Sequence, residues 1–308
     1  MRVAFVGKGG SGKTTISALF ARHVASQGAP VVALDADINQ HLALVLGLEE
    51  QPEPLGAHLT EIKDLLRGDN PRIPSAEVML KTTPPGRGSR LLRLADLPYT
   101  VTTPEGVRLA ATGPFTEDDL GVACYHSKVG AVELLLNHLV DGHDEYVVVD
   151  MTAGADSFAS GLFTRFDLTV LVAEPTRQAV SVYRQYSDYA AAFDVSLAVV
   201  GNKVHTPQDV EFLRSHVGED LLTWFEHSPA VRALEQGRPF ALEDLEPDNR
   251  EALARVLKHL DAQEKDWERF GRQAADFHIR NARAWGNART GVDLTAQIDP
   301  GFVYGRLD

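Results

Sequence analysis

The sequence predicts a doubly wound α/β fold, with a mostly parallel sheet of about seven strands, helices on both faces and a C-terminal helical extension. Three observations predict this class. Short runs of Val, Leu and Ala recur along the chain, helical patterns separate several of them, and the first run leads into a glycine-rich loop. Continuous apolar runs are typical of strands buried on both faces, and their alternation with helices predicts a parallel sheet.

Seven apolar runs account for the predicted strands, and most end in or beside Gly, Asp or Asn: RVAFVG, VVALDAD, VRLAATG, YVVVDM, LTVLVAEP, LAVVGNK and LLTWF. The first helix is predicted after the glycine-rich loop, because apolar residues follow at helical spacing and stop before Gly28: Ile16, Leu19, Phe20 and Val24. A second such stripe precedes YVVVDM: Val129, Val132, Leu135, Leu136 and Leu139.

Two stretches interrupt the alternation. Residues 50–107 are rich in Pro, Gly and Thr, and they are expected to form an irregular excursion. A short helix is predicted there around LTEIKDLLRG, and a hairpin before VRLAAT. We therefore expect a main domain over residues 1–260, followed by a C-terminal helix and tail over residues 261–308.

Composition and charge narrow the class of protein. The 308 residues carry a net charge of −13, from 43 acidic against 30 basic side chains, which makes nucleic acid an unlikely partner. No apolar run approaches the roughly 18 to 20 residues that a membrane-spanning helix needs. The single cysteine, Cys124, excludes an intramolecular disulfide and is typical of a cytoplasmic protein.

The glycine-rich loop GKGGSGKT matches the phosphate-binding pattern G-x-x-x-x-G-K-[ST] through Gly7, Gly12, Lys13 and Thr14. Glycines allow backbone N–H groups to surround phosphate oxygens, and the positive end of the following helix faces them. Lys13 is expected to reach the β and γ phosphates, and the Thr14 hydroxyl to bind Mg²⁺. The other loop residues expected to bind the nucleotide are Gly9, Gly10, Ser11 and Thr15.

A phosphate-binding loop of this type also requires an acidic residue at a strand end to hold the metal. VVALDAD supplies Asp35 and Asp37, and YVVVDM supplies Asp150. An Asp after a strand can also cap a helix or form a turn. The carboxyl ends of the strands are the edge at which open α/β sheets bind ligands, which favours a binding role.

Four motifs of the chain together resemble the deviant Walker A class of dimeric P-loop ATPases, which includes ParA, MinD and the nitrogenase iron protein. They are KGGSGKTT at 8–15, DAD at 35–37, DMTAG at 150–154 and GNK at 201–203. The resemblance implies ATP and Mg²⁺ as ligands, slow hydrolysis and a homodimer bridged by ATP. It implies that the early lysine, Lys8, contacts the phosphates of the partner subunit.

The same resemblance implies roles for the polar residues. Asp37 would position or activate the attacking water, and Asp35 would support the metal shell. Asp150 would bind the metal and sense the γ-phosphate, with Gly154 as a hinge. Asn202 would hydrogen-bond adenine.

Within the class, VRLAATGPFTEDDLGVACYHS is most similar to CooC-type maturation ATPases of carbon monoxide dehydrogenase. Those proteins carry a metal-binding Cys-X-Cys pair, whereas this chain has Val122, Ala123 and Cys124, so the first cysteine is absent. Cys124 and His126 from two subunits would still form a Cys₂His₂ metal site. The alternative is that Cys124 is a small buried apolar residue and His126 a surface residue.

The tail places aromatic residues roughly along one helical face: Trp267, Phe270, Ala274, Phe277 and Trp285. Packing onto the body or docking of a partner is favoured over membrane binding, because acidic residues dilute the arginines. We therefore expect an ATP-hydrolysing dimeric switch that times delivery to, or regulation of, an unidentified client protein, with metalloenzyme maturation as one form of it. The alternatives are an ATP-controlled membrane- or nucleoid-positioning protein and a non-catalytic nucleotide-sensing adaptor.

Overall fold

The computed structural model describes residues 1–114, 125–158, 160–238 and 240–305, with the backbone alone described at residues 125–127, 155 and 156. Eight strands within these ranges form one sheet: β1 (Arg2–Gly7), β2 (Val31–Ala36), β3 (Val101–Thr102), β4 (Arg108–Ala111), β5 (Tyr146–Met151), β6 (Leu168–Ala173), β7 (Leu197–Val204) and β8 (Leu221–Glu226). Their spatial order is β3-β4-β2-β5-β1-β6-β7-β8, and all neighbours are parallel except β3 and β4. The predicted fold class is confirmed.

Helices cover both faces of this sheet. The α-helices in the described ranges are α1 (Lys13–Ser26), α2 (Leu42–Val45), α3 (Leu59–Arg67), α4 (Tyr125–His138), α5 (Arg177–Phe193), α6 (Pro207–Val217), α7 (Pro229–Glu235), α8 (Pro247–Asp261), α9 (Trp267–Asn281) and α10 (Asn287–Thr290). None of the helices in the described part of the chain is both long and apolar enough to cross a membrane.

Two apolar cores lie on opposite faces of the sheet. One contains Leu19 and Phe20 of α1 together with Leu253 of α8. The other contains Leu135 of α4 and Leu213 of α6, along with the apolar side of α3 and α5. Because side chains alternate across a strand, each central strand contributes to both cores, which explains its uninterrupted apolar sequence.

The predicted strand count is one short. The additional strand, β3, has only two residues and pairs antiparallel with β4, with Val101 opposite Leu109. Two residues are too short to form a recognisable apolar run, although a hairpin was expected here. The excursion also contains the expected short helix, α3, which buries Ile62 and Leu66.

The C-terminal segment packs against the body through its aromatic side chains. Phe270 is fully buried, and its carbonyl accepts a hydrogen bond from the Arg165 guanidinium at 2.8 Å. The Phe277 ring lies 5.7 Å from the ring of Phe163. Trp285 does not continue this face, because a π-helix at Ala282–Gly286 follows α9 and leaves Trp285 37% exposed.

Buried charged side chains join α4 to the chain that follows β5. Glu133 of α4 is only 2% exposed and accepts hydrogen bonds from the Gly161 N–H and the Ser160 hydroxyl. Burial raises the pKa of Glu133 to about 7, and the nearby charges of Lys81 and Arg165 partly offset this shift.

Candidate nucleotide-binding site

The predicted polar residues meet at one edge of the sheet, at the carboxyl ends of three neighbouring strands. Asp35 at the end of β2 is in register with Asp150 at the end of β5. Asp150 is also in register with Phe5 of β1, two residues before the glycine-rich loop begins at Gly7. The order β2-β5-β1 therefore places both acidic strand ends beside the loop, where ligands bind in sheets of this kind.

The loop between β1 and α1 has the backbone geometry of a phosphate-binding loop. Gly10 and Gly12 have φ angles of 79° and 96°, a region that glycine enters without strain. Lys13 begins α1 and is 5% exposed, so its ammonium group lies inside the site at the positive end of the helix. Gly9 and Gly10 are exposed at the outer side of the loop.

Two residues at the end of β7 hold the loop from outside. The Asn202 side-chain amide donates to the Ser11 carbonyl at 2.7 Å, and the Lys203 ammonium donates to the Gly10 carbonyl at 2.7 Å. Lys203 is also 2.7 Å from a carboxylate oxygen of Glu174, at the end of β6. These two bonds fix the outer side of the loop, and a third bond, from the Ser11 N–H to the Lys8 carbonyl at 3.1 Å, closes the turn within it.

Thr14 and Asp150 are directly hydrogen-bonded within the site. The Thr14 hydroxyl donates to Asp150 Oδ2 at 2.6 Å, while the buried Oδ1 has no hydrogen-bond partner among the described residues. Burial raises the pKa of Asp150 well above its ordinary value, the neighbouring Asp35 raises it further, and Thr14 and Lys13 partly offset these effects.

This donor set fits Mg²⁺. Mg²⁺ binds hard oxygen ligands and is usually held by one or two protein groups together with waters and substrate phosphates. A hydroxyl beside an orphaned carboxylate oxygen provides such groups. No cluster of three or more His, Cys, Asp or Glu side chains suited to a metal occurs in the part of the chain that the structure describes, so Thr14 and Asp150 are too few for an all-protein metal site.

Asp35 shapes the loop that carries Asp37. Its two carboxylate oxygens accept hydrogen bonds from the N–H groups of Leu42, at 2.9 Å, and Asp37, at 3.1 Å. Burial raises the pKa of Asp35 to about 7 despite these bonds. Asp37 is 7% exposed, and its Oδ1 accepts from the N–H of Asn39 at 2.9 Å.

Lys8 lies apart from Lys13, on the outer side of the loop. Its side chain is only partly buried, and its ammonium donates to Oε1 of Gln178, the second residue of α5, at 3.0 Å. The two lysines of the loop therefore occupy different environments, one inside the site and one at the protein surface.

A cavity of about 450 Å³ opens beside the loop. Asn202 and Thr15 line it on the loop side, and His205, Arg232 and Glu235 line it elsewhere. The hydroxyl oxygen of Thr15 lies 3.5 Å from Oε1 of Glu235. The cavity adjoins the loop at the side of Asn202, the residue expected to contact adenine.

Most of the residues predicted from the sequence lie together at this sheet edge, but Lys203 and Glu174, which also lie there, were not predicted. GNK and AEP follow predicted strands, so Lys203 and Glu174 could have been expected at the same sheet edge. The contact of Asn202 with the Ser11 carbonyl was also not foreseen. Cys124 lies outside the described residues, as does the side chain of His126, so the suggested metal pair remains a prediction.

Comparison with known proteins agrees with this geometry. A family model described as the CobQ/CobB/MinD/ParA nucleotide binding domain matches residues 3–294. The carbon monoxide dehydrogenase accessory protein CooC of Rhodospirillum rubrum is 27% identical over 239 residues, which cover 77% of this chain and 87% of CooC. An uncharacterized ATP-binding protein of Methanocaldococcus jannaschii is 30% identical over 223 residues, covering 72% of this chain and 81% of that protein.

Among solved structures, the septum site-determining protein MinD from Pyrococcus horikoshii, complexed with Mg-ADP, has a similar fold. The TM-score is 0.58 at 16% identity, over 85% of this chain and 96% of MinD. The fold and the site define a nucleotide-binding P-loop protein. The chain belongs to the CobQ/CobB/MinD/ParA nucleotide binding domain family, and the predicted resemblance to the ParA/MinD class and to CooC is confirmed.

Proposed function

We propose that the chain is a Mg²⁺-dependent ATPase that dimerises around ATP and uses hydrolysis to time its interaction with a client protein. The observation that carries this proposal is the Thr14–Asp150 pair beside the glycine-rich loop, with one carboxylate oxygen of Asp150 unpartnered. A buried carboxylate oxygen without a partner is costly, and a cation beside the phosphates would remove that cost.

The loop residues bind the phosphates in this proposal, with Lys13 neutralising their charge from within. The backbone N–H groups come from Gly9, Gly10, Gly12, Thr14 and Thr15, whereas the N–H of Ser11 donates to the Lys8 carbonyl at 3.1 Å. Mg²⁺, held by Thr14 and by Asp150, would supply further neutralisation of the phosphate charge. Asp35 supports that metal shell through its place beside Asp150. The adjoining cavity takes adenine next to Asn202.

Asp37 holds the attacking water and accepts a proton from it, as the water oxygen bonds to the γ-phosphorus and the bond from that phosphorus to the departing ADP oxygen breaks. Its position in a loop fixed by Asp35 supports this role, because a catalytic carboxylate must be held in place. Lys8 supplies charge to the phosphates of a second copy of the chain. Its location on the outer side of the loop supports a contact in trans, since Lys13 already occupies the inside.

We propose that the client is an enzyme that depends on an accessory protein. The analogy is with CooC, which is named as an accessory protein of carbon monoxide dehydrogenase. The first cysteine of the Cys-X-Cys pair is missing, so the proposal does not depend on metal binding at Cys124 and His126. ATP-dependent dimerisation would expose or hide a client-binding surface, and hydrolysis would reverse it.

The substitution Asp37→Ala tests the catalytic role. We expect the variant to bind ATP and dimerise, with turnover lowered by about 100-fold or more, because one positioned group contributes about 10²–10⁴-fold to proton transfer. Phosphate release is the assay, and Asp144→Ala is the matched control, since that carboxylate is 96% exposed. An Asp37→Ala variant that hydrolyses ATP at the wild-type rate would remove Asp37 from its proposed role.

A further inference from the structure

Gln40 is a buried polar residue held in an unfavourable backbone conformation. It is 7% exposed and has a φ angle of 51°, in the left-handed region that residues other than glycine rarely adopt. Such a conformation persists only where the surroundings enforce it, and it is frequent at functional sites. Gln40 follows Asp37 by three residues in the loop after β2.

The side chain of Gln40 joins two loops at the sheet edge. Its Nε2 group donates to the carbonyl of Asp37 and, at 3.0 Å, to the hydroxyl of Thr112. Its Oε1 accepts from the N–H of Gly113 at 3.1 Å. One carboxamide therefore binds the backbone beside the proposed catalytic carboxylate and the backbone that leaves β4.

The end of β4 has little freedom to move independently. A Cβ atom on Gly113 would lie 2.5 Å from Cβ of Pro54, so the two backbones are in close contact. The N–H of Gly56 also donates to the Thr112 carbonyl at 3.0 Å. Gly113 is thus confined between Gln40 on one side and the chain at 54–56 on the other, and closely packed groups of this kind transmit displacements.

We propose that Gln40 is a positioning residue that couples the loop carrying Asp37 to the end of β4 at Thr112 and Gly113. The hydrogen bonding of this strand end then depends on which nucleotide occupies the site. The inference rests on the proposed function, since it needs a nucleotide to displace the Asp37 loop. A purely structural role for Gln40 would affect stability and leave the nucleotide response of the strand end unchanged.

Two substitutions separate these roles. Gln40→Met keeps the length of the side chain and removes both the donor and the acceptor. Gln40→Gly removes the side chain and relieves the backbone strain, because glycine tolerates a positive φ angle, so it offers a second folded variant. Gln27→Ala is the matched control, since Gln27 is exposed and, among the described residues, forms hydrogen bonds only within its own helix end.

Hydrogen exchange on the full chain, measured by mass spectrometry, is the direct readout. Wild type and Gln27→Ala are expected to exchange differently in Mg²⁺ with ADP and in Mg²⁺ with a non-hydrolysable ATP analogue, over peptides covering residues 53–58 and 107–114. Both Gln40 variants should lose this difference while keeping their affinity for the analogue. Their turnover should fall by about 10- to 100-fold, the effect of a small misplacement of a catalytic group.

The outcomes distinguish this coupling from the proposed function. Variants that retain the wild-type difference in exchange overturn the coupling. So does a wild-type chain in which the peptides of the strand end exchange equally in the two nucleotides. A wild-type chain without turnover contradicts the proposed ATPase, yet its exchange in the two nucleotides still decides whether Gln40 couples the loops.

Discussion

Gly12 cannot be replaced by alanine without breaking the contact between Asn202 and the phosphate-binding loop. A Cβ atom at this position would lie 2.2 Å from Nδ2 of Asn202, far inside contact distance. That Nδ2 atom donates to the Ser11 carbonyl at 2.7 Å. Because the end of a side chain moves more easily than backbone, Gly12→Ala should displace the Asn202 amide and break this hydrogen bond.

The structure gives the size of the effect. Gly12 has a φ of 96°, and a non-glycine residue in such a conformation costs about 1–3 kcal/mol. The lost hydrogen bond adds about 0.5–1.5 kcal/mol. Gly28 is the matched control, because its φ is 81° and no atom lies within 4 Å of its would-be Cβ. Gly28→Ala should therefore cost only the backbone strain, about 1 kcal/mol less than Gly12→Ala.

A double-mutant cycle isolates the contact. The free energy of unfolding is measured by urea denaturation, without nucleotide, for wild type, Gly12→Ala, Asn202→Ala, the double variant and Gly28→Ala. With Asn202 truncated, the alanine at position 12 no longer displaces it, so the double variant should cost about 1 kcal/mol less than the sum of the single changes. Additivity to within about 0.3 kcal/mol would refute the reasoning.

Two further predictions concern buried acids. Asp150→Asn should weaken Mg²⁺-dependent nucleotide binding by about 10- to 100-fold, measured by calorimetry across a Mg²⁺ series. The stability of the nucleotide-free chain should not fall, because burial already disfavours the charged form of Asp150. A large loss of that stability would contradict this prediction. Burial raises the pKa of Glu133 from 4.5 to about 7, so folded Glu133 retains its proton over this interval and unfolded Glu133 does not. Wild type should therefore lose about 3 kcal/mol relative to Glu133→Gln as the pH rises across it, and equal pH profiles in urea denaturation would contradict this.

The parts of the fold that depend on local sequence could be predicted. Buried strands are continuous apolar runs, and the loop from Gly7 to Thr14 has a spacing that phosphate binding requires. Asp35 and Asp150 could be placed at one sheet edge because both lie at the ends of predicted parallel strands, whereas their direct register is a finding of the structure. Those residues were therefore accessible to sequence reasoning.

The contacts that hold the site together were not accessible in the same way. Lys203 meets the Gly10 carbonyl across 193 positions of the chain, and Gln40 meets Thr112 across 72. No local pattern marks a polar side chain for such a distant partner. The burial of Glu133 was hidden for the same reason, because Gly161 and Ser160 contact it from beyond β5.

The tail illustrates a further limit. Trp267 to Trp285 were expected along one helical face, and Phe270 and Phe277 do pack on the body. The π-helix at Ala282–Gly286 changes the phase of the helix before Trp285. Gly286 packs closely there, since a Cβ on it would lie 2.8 Å from Cδ1 of Leu80. A regular helical repeat in the sequence cannot anticipate that change of phase.

The central claim is that ATP joins two copies of the chain through Lys8. The most direct test is size-exclusion chromatography with light scattering on wild type, Lys8→Ala and Lys258→Ala, each in Mg²⁺ with ADP and in Mg²⁺ with a non-hydrolysable ATP analogue. Lys258 is the control, as an exposed lysine of α8. We expect wild type and Lys258→Ala to be monomers in ADP and dimers in the analogue, whereas Lys8→Ala binds the analogue and stays monomeric. A Lys8→Ala chain that dimerises like wild type would contradict the claim. So would a wild-type chain whose measured mass is the same in ADP and in the ATP analogue.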